Sequence, residues 1–177
     1  MNNLIELKSK NTQSVARIFI VDATILLILF ALPTISHQLP FPLFLIEPMR
    51  IMVLASYLFT NKQNGLMIGM AIPIFSSLTS GHPIFLKSIL ISLELVSMLL
   101  VLDYLKSKIN DLFSLTIAIF ISKAIYYCFK ALFIIYGFLG QPLISTSFKF
   151  QLISPIMLLI ILFIISFFKK TIIKTSD

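Results

Sequence analysis

The sequence predicts an all-α, polytopic membrane protein. Three observations carry that expectation: 58% of the 177 residues are hydrophobic, only 12% are charged, and the apolar residues fall in long runs broken by turn chemistry. Soluble domains carry about a quarter charged residues. Mean hydropathy is +1.02, and no run shows the alternating polarity of a barrel strand. The whole of 1–177 reads as one integral membrane domain. The first fifteen residues are polar, with no small-residue cleavage site after the first apolar run, which predicts no cleavable leader.

A spanning helix needs about 20 mostly apolar residues. Six are expected, near 15–35, 43–60, 64–79, 84–105, 112–137 and 150–168. The intervening stretches "SHQLPFP", "NKQN", "TSGHP", "KSKIND" and "GQPLISTS" supply the breaks. The second and third spans hold Pro48 and Pro73, where a helix kinks or a re-entrant piece begins. In the third, Gly65 and Gly69 form a GxxxG, expected to serve close packing within the fold.

Lysine and arginine set the orientation. One side receives Lys8, Lys10, Arg17, Lys62, Lys106, Lys108, Lys169, Lys170 and Lys174; the other receives Lys87 and Lys149. Nine against two places both termini in the cytoplasm, in the cytoplasmic (inner) membrane. The net charge of +7 reflects these anchors, so no nucleic acid partner is expected. One cysteine, Cys128, excludes an internal disulfide, and two distant histidines, His37 and His82, make no metal site. No GxxxxGK[ST], HExxH, GxSxG or CxxC occurs. No enzyme activity and no cofactor are expected.

Ionisable side chains at bilayer depth cost about 2.5–3.5 kcal/mol each. Glu47 and Arg50 are three apart on one helical face and can pair. Lys87 and Glu94 are seven apart on one face, with Ile91 between them. Lys123, Tyr127 and Lys130 follow i, i+4, i+7 spacing. Three helices thus aim polar groups into the outer half of the membrane, and one outward pocket would satisfy them all. His82 lies in the loop above. Cations outnumber carboxylates four to two, which favours an anionic or zwitterionic ligand. Arg50 could grip a carboxylate, and Ile91, Tyr126 and Tyr127 could cover an apolar body. The alternative is mutual neutralisation without a ligand: Glu47 with Arg50, Glu94 with Lys123, and Lys87 and Lys130 snorkelling. Asp22, near the other end of helix 1, would meet Arg17 or a lysine, or a partner surface.

Residues 47–105 carry a family resemblance. Gly65, Gly69, Pro73, Ser76, Leu78, Gly81, Pro83 and Glu94-Leu95 fall in the order found in substrate-binding S components of energy-coupling factor (ECF) vitamin transporters. The stretch resembles the pantothenate-type and related group. His82 and Ile84 replace a paired proline pattern, and Met98-Leu99 stand where that group has tyrosine-glycine. The spaced alanines of helix 1 are interrupted by Ile20 after Ala16 and Leu27 after Ala23. The resemblance implies capture of a vitamin-like micronutrient from outside. It also implies association with a membrane-embedded T component and two cytoplasmic ATPases, and toppling of the S component to carry the ligand inward. A scaffold similar to small rod-shape-determining membrane proteins, and an ion-coupled carrier or membrane enzyme, are the competing classes.

Overall fold

The computed structural model describes the backbone of residues 2–38, 47–81, 83–140, 142 and 143, with isolated positions 156 and 160. Five helices follow in order: α1 (Asn2–Gln38), α2 (Pro48–Phe59), α3 (Lys62–Ser80), α4 (Phe85–Lys106) and α5 (Asp111–Ile135). The described elements are all helical. Of the expected sixth span, 150–168, all but positions 156 and 160 lies outside the described residues.

Three stretches are long and apolar enough to cross a membrane: Ser14–Leu32 within α1, Phe85–Lys106 and Asp111–Ile135. The expected first span of 15–35 is the apolar part of a longer helix. At 37 residues, α1 extends about 55 Å, more than a bilayer is thick. The expected second span of 43–60 is corrected, because no continuous helix runs through Glu47. That residue is left-handed (φ 51, ψ 57) and caps α2, whose first residue is Pro48. Proline disfavours the right-handed helical region in the residue before it and fits the first helical position, where its missing N–H costs nothing. At 12 residues, α2 is only about 18 Å long. The next helix, α3, is clearer at its ends. Asn61 caps it, its side chain accepting from Asn64 N at 2.8 Å. Gly81 closes it at φ 68, with its N–H on Ser77 O.

Neighbouring contacts give the topology. A Cβ at Gly65 would meet Tyr57 and Leu99, and one at Gly69 would meet Val53 and Leu95. As numbers rise along α3 they fall along α2 and α4, so α3 is antiparallel to both. On α1, Asp22 meets Asn64 and Phe30 meets Phe75 edge-on, so α1 runs parallel to α3. Packed against α4 on its far side is α5. The GxxxG glycines serve packing inside the fold, as the sequence predicts: α3 is wedged between α2 and α4 at both of them.

The core joins all five helices, with Ile25 and Leu29 of α1, Met52–Leu54 of α2, Ile72 of α3, Leu95, Met98, Leu99 and Leu102 of α4, and Leu115, Ala118 and Ile119 of α5. Lipid tails are as apolar as leucine, so burial alone does not join membrane helices. Close packing and polar contacts do. Ser114, Ala118 and Ser122 are fully buried at four-residue spacing, a row of small side chains on one face of α5. Pro73 removes one donor from α3, and Ser92 of α4 donates to Met70 O at 3.0 Å beside that break.

The polar ends sort by charge. Asn64 Nδ2 donates to Asp22 Oδ1 at 2.8 Å, Ser56 Oγ at 2.9 Å and Thr60 Oγ1 at 3.2 Å. Asp22 is thus held by an amide of α3 rather than by Arg17 or a lysine, because α1 presents it to α3. Nearby, Asp103 accepts from Lys62 Nζ at 2.6 Å and Tyr57 Oη at 3.1 Å. Lys106 sits over the Tyr57 ring. The ends of α2, α3 and α4 that carry Tyr57, Lys62, Asp103 and Lys106 therefore lie together as a basic end, level with Asp22 of α1.

The two glycines of α3 should respond differently to one methyl group. At Gly65 a Cβ would stand 3.0 Å from Tyr57 Cβ and 3.1 Å from its Cα, whereas at Gly69 its nearest neighbour is at 3.5 Å. Gly65→Ala is expected to destabilise by about 1–3 kcal/mol through overpacking, and Gly69→Ala by less than about 1 kcal/mol. Thermal unfolding of the detergent-purified variants measures the difference.

Candidate functional site

The site begins with the break before α2. Because α2 starts at Pro48 and ends among the basic-end contacts, Arg50 stands about 15 Å from that end, near the middle of a bilayer core about 30 Å thick. Glu94 is the tenth residue of the 22 in α4, and Lys123 the thirteenth of the 25 in α5. All three reach one level. Glu47 and Arg50 therefore lie level with the middles of α4 and α5, at the start of a short α2.

Arg50 is 3% exposed. Its guanidinium forms ion pairs with Glu47 and with Glu94. Glu47 also accepts Lys123 Nζ at 2.7 Å. The result is a continuous chain, Lys123–Glu47–Arg50–Glu94, that ties α5 to the cap of α2 and then to α4. It holds two positive and two negative charges. In a low-dielectric interior each member needs its partners, since an isolated charge there is very costly. The expected Glu47–Arg50 pair forms. The expected Glu94–Lys123 pair does not, because Arg50 lies where it can take both carboxylates and Lys123 turns to Glu47. Helical spacing sets which residues share a face, but the pairing between helices depends on the level at which α2 begins.

Above this chain α4 and α5 present further groups. Lys87 and Ile91 of α4 are half-buried, as are Tyr126 and Tyr127 of α5. The two tyrosine rings meet edge to face with centroids 5.3 Å apart. Lys130 is 1% exposed, and its Nζ donates to Leu143 O at 2.8 Å. It does not snorkel to the surface; it turns inward and ties the segment after α5 to that helix. His82 lies outside the described residues, as does the side chain of His37. The structure thus brings Glu47, Arg50, Glu94 and Lys123 into direct contact, and places Lys87, Ile91, Tyr127 and Lys130 on the parts of α4 and α5 away from the basic end.

Among the described residues Arg50 Nη1 and Glu47 Oε2 face one another as an ion pair, which leaves the third guanidinium nitrogen. Arg50 Nε is buried and has no hydrogen-bond partner among the described residues. A buried N–H without an acceptor costs about 1–3 kcal/mol. Among the described residues no group of three His, Cys, Asp or Glu side chains could hold a metal. The arrangement offers cations, aromatic rings and a spare donor, which is binding chemistry. Tyr126 stands beside the predicted Tyr127 on α5, and its aromatic contact with that residue was beyond what spacing alone could give.

Arg50→Met should be far more damaging than Lys62→Met. The first leaves the buried carboxylate of Glu94 without its cation, a loss of about 3–5 kcal/mol. The second removes a partner from a pair whose side chains are 48% and 36% exposed, a loss of about 0–1 kcal/mol. Unfolding midpoints of the two purified variants should separate clearly.

Compared with family models, with curated proteins and with solved structures, the chain gives no match.

Proposed function

We propose that this chain is the substrate-binding S component of an ECF-type transporter in the cytoplasmic membrane. In this role it takes a vitamin-like micronutrient from outside and delivers it through a T component and two ATPases. The observation that carries the reading is the ion-pair chain Lys123–Glu47–Arg50–Glu94, in which Arg50 and Glu94 are buried and Glu47 and Lys123 half-buried, level with the middles of α4 and α5. Four such residues would cost roughly 10–14 kcal/mol to insert unpaired. Pairing offsets that cost, yet well-packed apolar residues would hold the helices at least as firmly. Stability alone therefore gives no reason for charge here, whereas ligand capture does. The resemblance over 47–105 and the lack of any ATP-binding motif in the sequence agree with a subunit that binds while others hydrolyse.

A membrane scaffold is the second reading. One observation favours it: the four charges of the chain cancel among themselves and do not require a ligand.

Partner composition separates the two. Affinity purification of the tagged chain from its own membranes is expected to recover a polytopic T component and ATPase subunits, with ATP hydrolysis in the eluate. Recovery of envelope-assembly proteins without ATPases would replace the transport reading with the scaffold. Uptake of solute by the chain alone in proteoliposomes would replace it with an ion-coupled carrier.

A further inference from the structure

We propose that the exposed face of α4 at the basic end holds an anionic phospholipid, its phosphate on Lys108 and Tyr104 and one acyl chain along the helix. The two polar groups form one locus. Lys108 follows the last turn of α4, with its backbone N–H on Leu105 O at 2.8 Å. Its ammonium stands over the Tyr104 ring, 4.0 Å from the centroid, and donates to the Tyr104 hydroxyl oxygen. An ammonium has three donors, so two remain, and the Tyr104 hydroxyl keeps its own proton to give. Both residues are exposed. Among the described residues Lys108 makes no ion pair.

Lys106 belongs to a different cluster. It lies over the Tyr57 ring, 5.7 Å from the centroid, and Tyr57 donates to Asp103, which also holds Lys62. That cluster has its own carboxylate, whereas Lys108 is open to an anion from outside. The neighbouring lysines then set the sign of the lipid. A headgroup that carries an ammonium of its own meets Lys108 and Lys106 as a like charge. A headgroup with net negative charge meets attraction alone.

From Tyr104 toward the middle of α4 the same face is apolar. Ile89, Leu93, Leu100 and Tyr104 fall on one side of the helix, at i, i+4, i+11 and i+15, and all four are exposed. Ser97 lies on this side too, and its hydroxyl is used on Glu94 O at 2.9 Å, so the stripe presents no unsatisfied polar group. Leu93 and Tyr104 are eleven residues apart, about 16 Å, which is half of a hydrocarbon core about 30 Å thick. A chain from one leaflet therefore runs from Tyr104 to Leu93 while its phosphate reaches Lys108. Cation, amphipathic ring and aliphatic stripe follow one another in the order of phosphate, glycerol ester and acyl chain.

The test uses the full-length chain, purified in detergent and stripped of lipid, with three probes: dioleoylphosphatidylglycerol, dioleoylphosphatidylcholine and inorganic phosphate. Native mass spectrometry counts bound lipid, and thermal shift gives apparent affinities for wild type, Lys108→Gln, Lys108→Arg and Lys106→Gln. The glycerol lipid is expected to bind about fivefold or more tighter than the choline lipid with identical chains. Lys108→Gln should remove most of that preference, while Lys108→Arg and Lys106→Gln should each keep it within about twofold. Equal binding of the two lipids, or an unchanged preference in Lys108→Gln, would overturn the proposal. An equal loss in Lys106→Gln would replace it with a diffuse charge effect. Protection by inorganic phosphate as strong as that by lipid would also overturn it, because the stripe on α4 would then contribute nothing. Should Lys108→Gln not fold, the comparison of the two lipids on wild type and on Lys106→Gln decides it.

Discussion

The ion pairs that Arg50 makes with Glu47 and Glu94 are the constraint on which the rest of the described structure depends. A guanidinium at mid-depth must have carboxylates, and those carboxylates come from two different helices. Glu47 takes a second cation from α5, so one buried charge fixes three helices at one level. The left-handed backbone of Glu47 belongs to the same constraint. A non-glycine residue in that region is held there by its surroundings, and the Glu47 side chain is gripped by Arg50 and Lys123 while its carbonyl accepts the first bonds of α2.

Packing of small residues makes that level reachable. With glycines at 65 and 69, α3 lies directly against α2 and α4, and α5 turns a row of small buried side chains inward. Helices that approach closely leave little room for a long side chain to swing. Arg50 is therefore confined between its two acids. At the other end the logic is reversed. Asn64, Asp22, Ser56 and Thr60 join α1, α2 and α3 through neutral hydrogen bonds around one carboxylate, and Lys62 and Asp103 pair at the boundary, where solvent weakens them. The two polar zones are thus of different kinds: one joins helices through a single carboxylate and neutral donors, the other through ion pairs closed on a buried guanidinium.

Charge distribution separates the site into parts. The mid-depth chain is balanced and selects no sign. The surplus of positive charge that the sequence shows among the intramembrane residues resides one level further out, at Lys87 and Lys130. The four-to-two ratio is right as a count, but in the fold the two carboxylates are already committed.

Much of this was legible in the residues themselves. Composition and run length gave the helical membrane class. Proline and the polar breaks marked the helix ends. The i, i+3 spacing of Glu47 and Arg50 foretold their pair, and the spacing of Gly65 and Gly69 foretold close packing, because these are properties of one helix. Contacts between helices were not legible. Only the tertiary structure decided that Glu94 belongs to Arg50 and Lys123 to Glu47, that Asn64 rather than a cation receives Asp22, and that Lys130 turns inward. A sequence fixes which side chains share a helical face, but which faces meet, and at what depth, follows from how the helices pack and from where Pro48 starts α2.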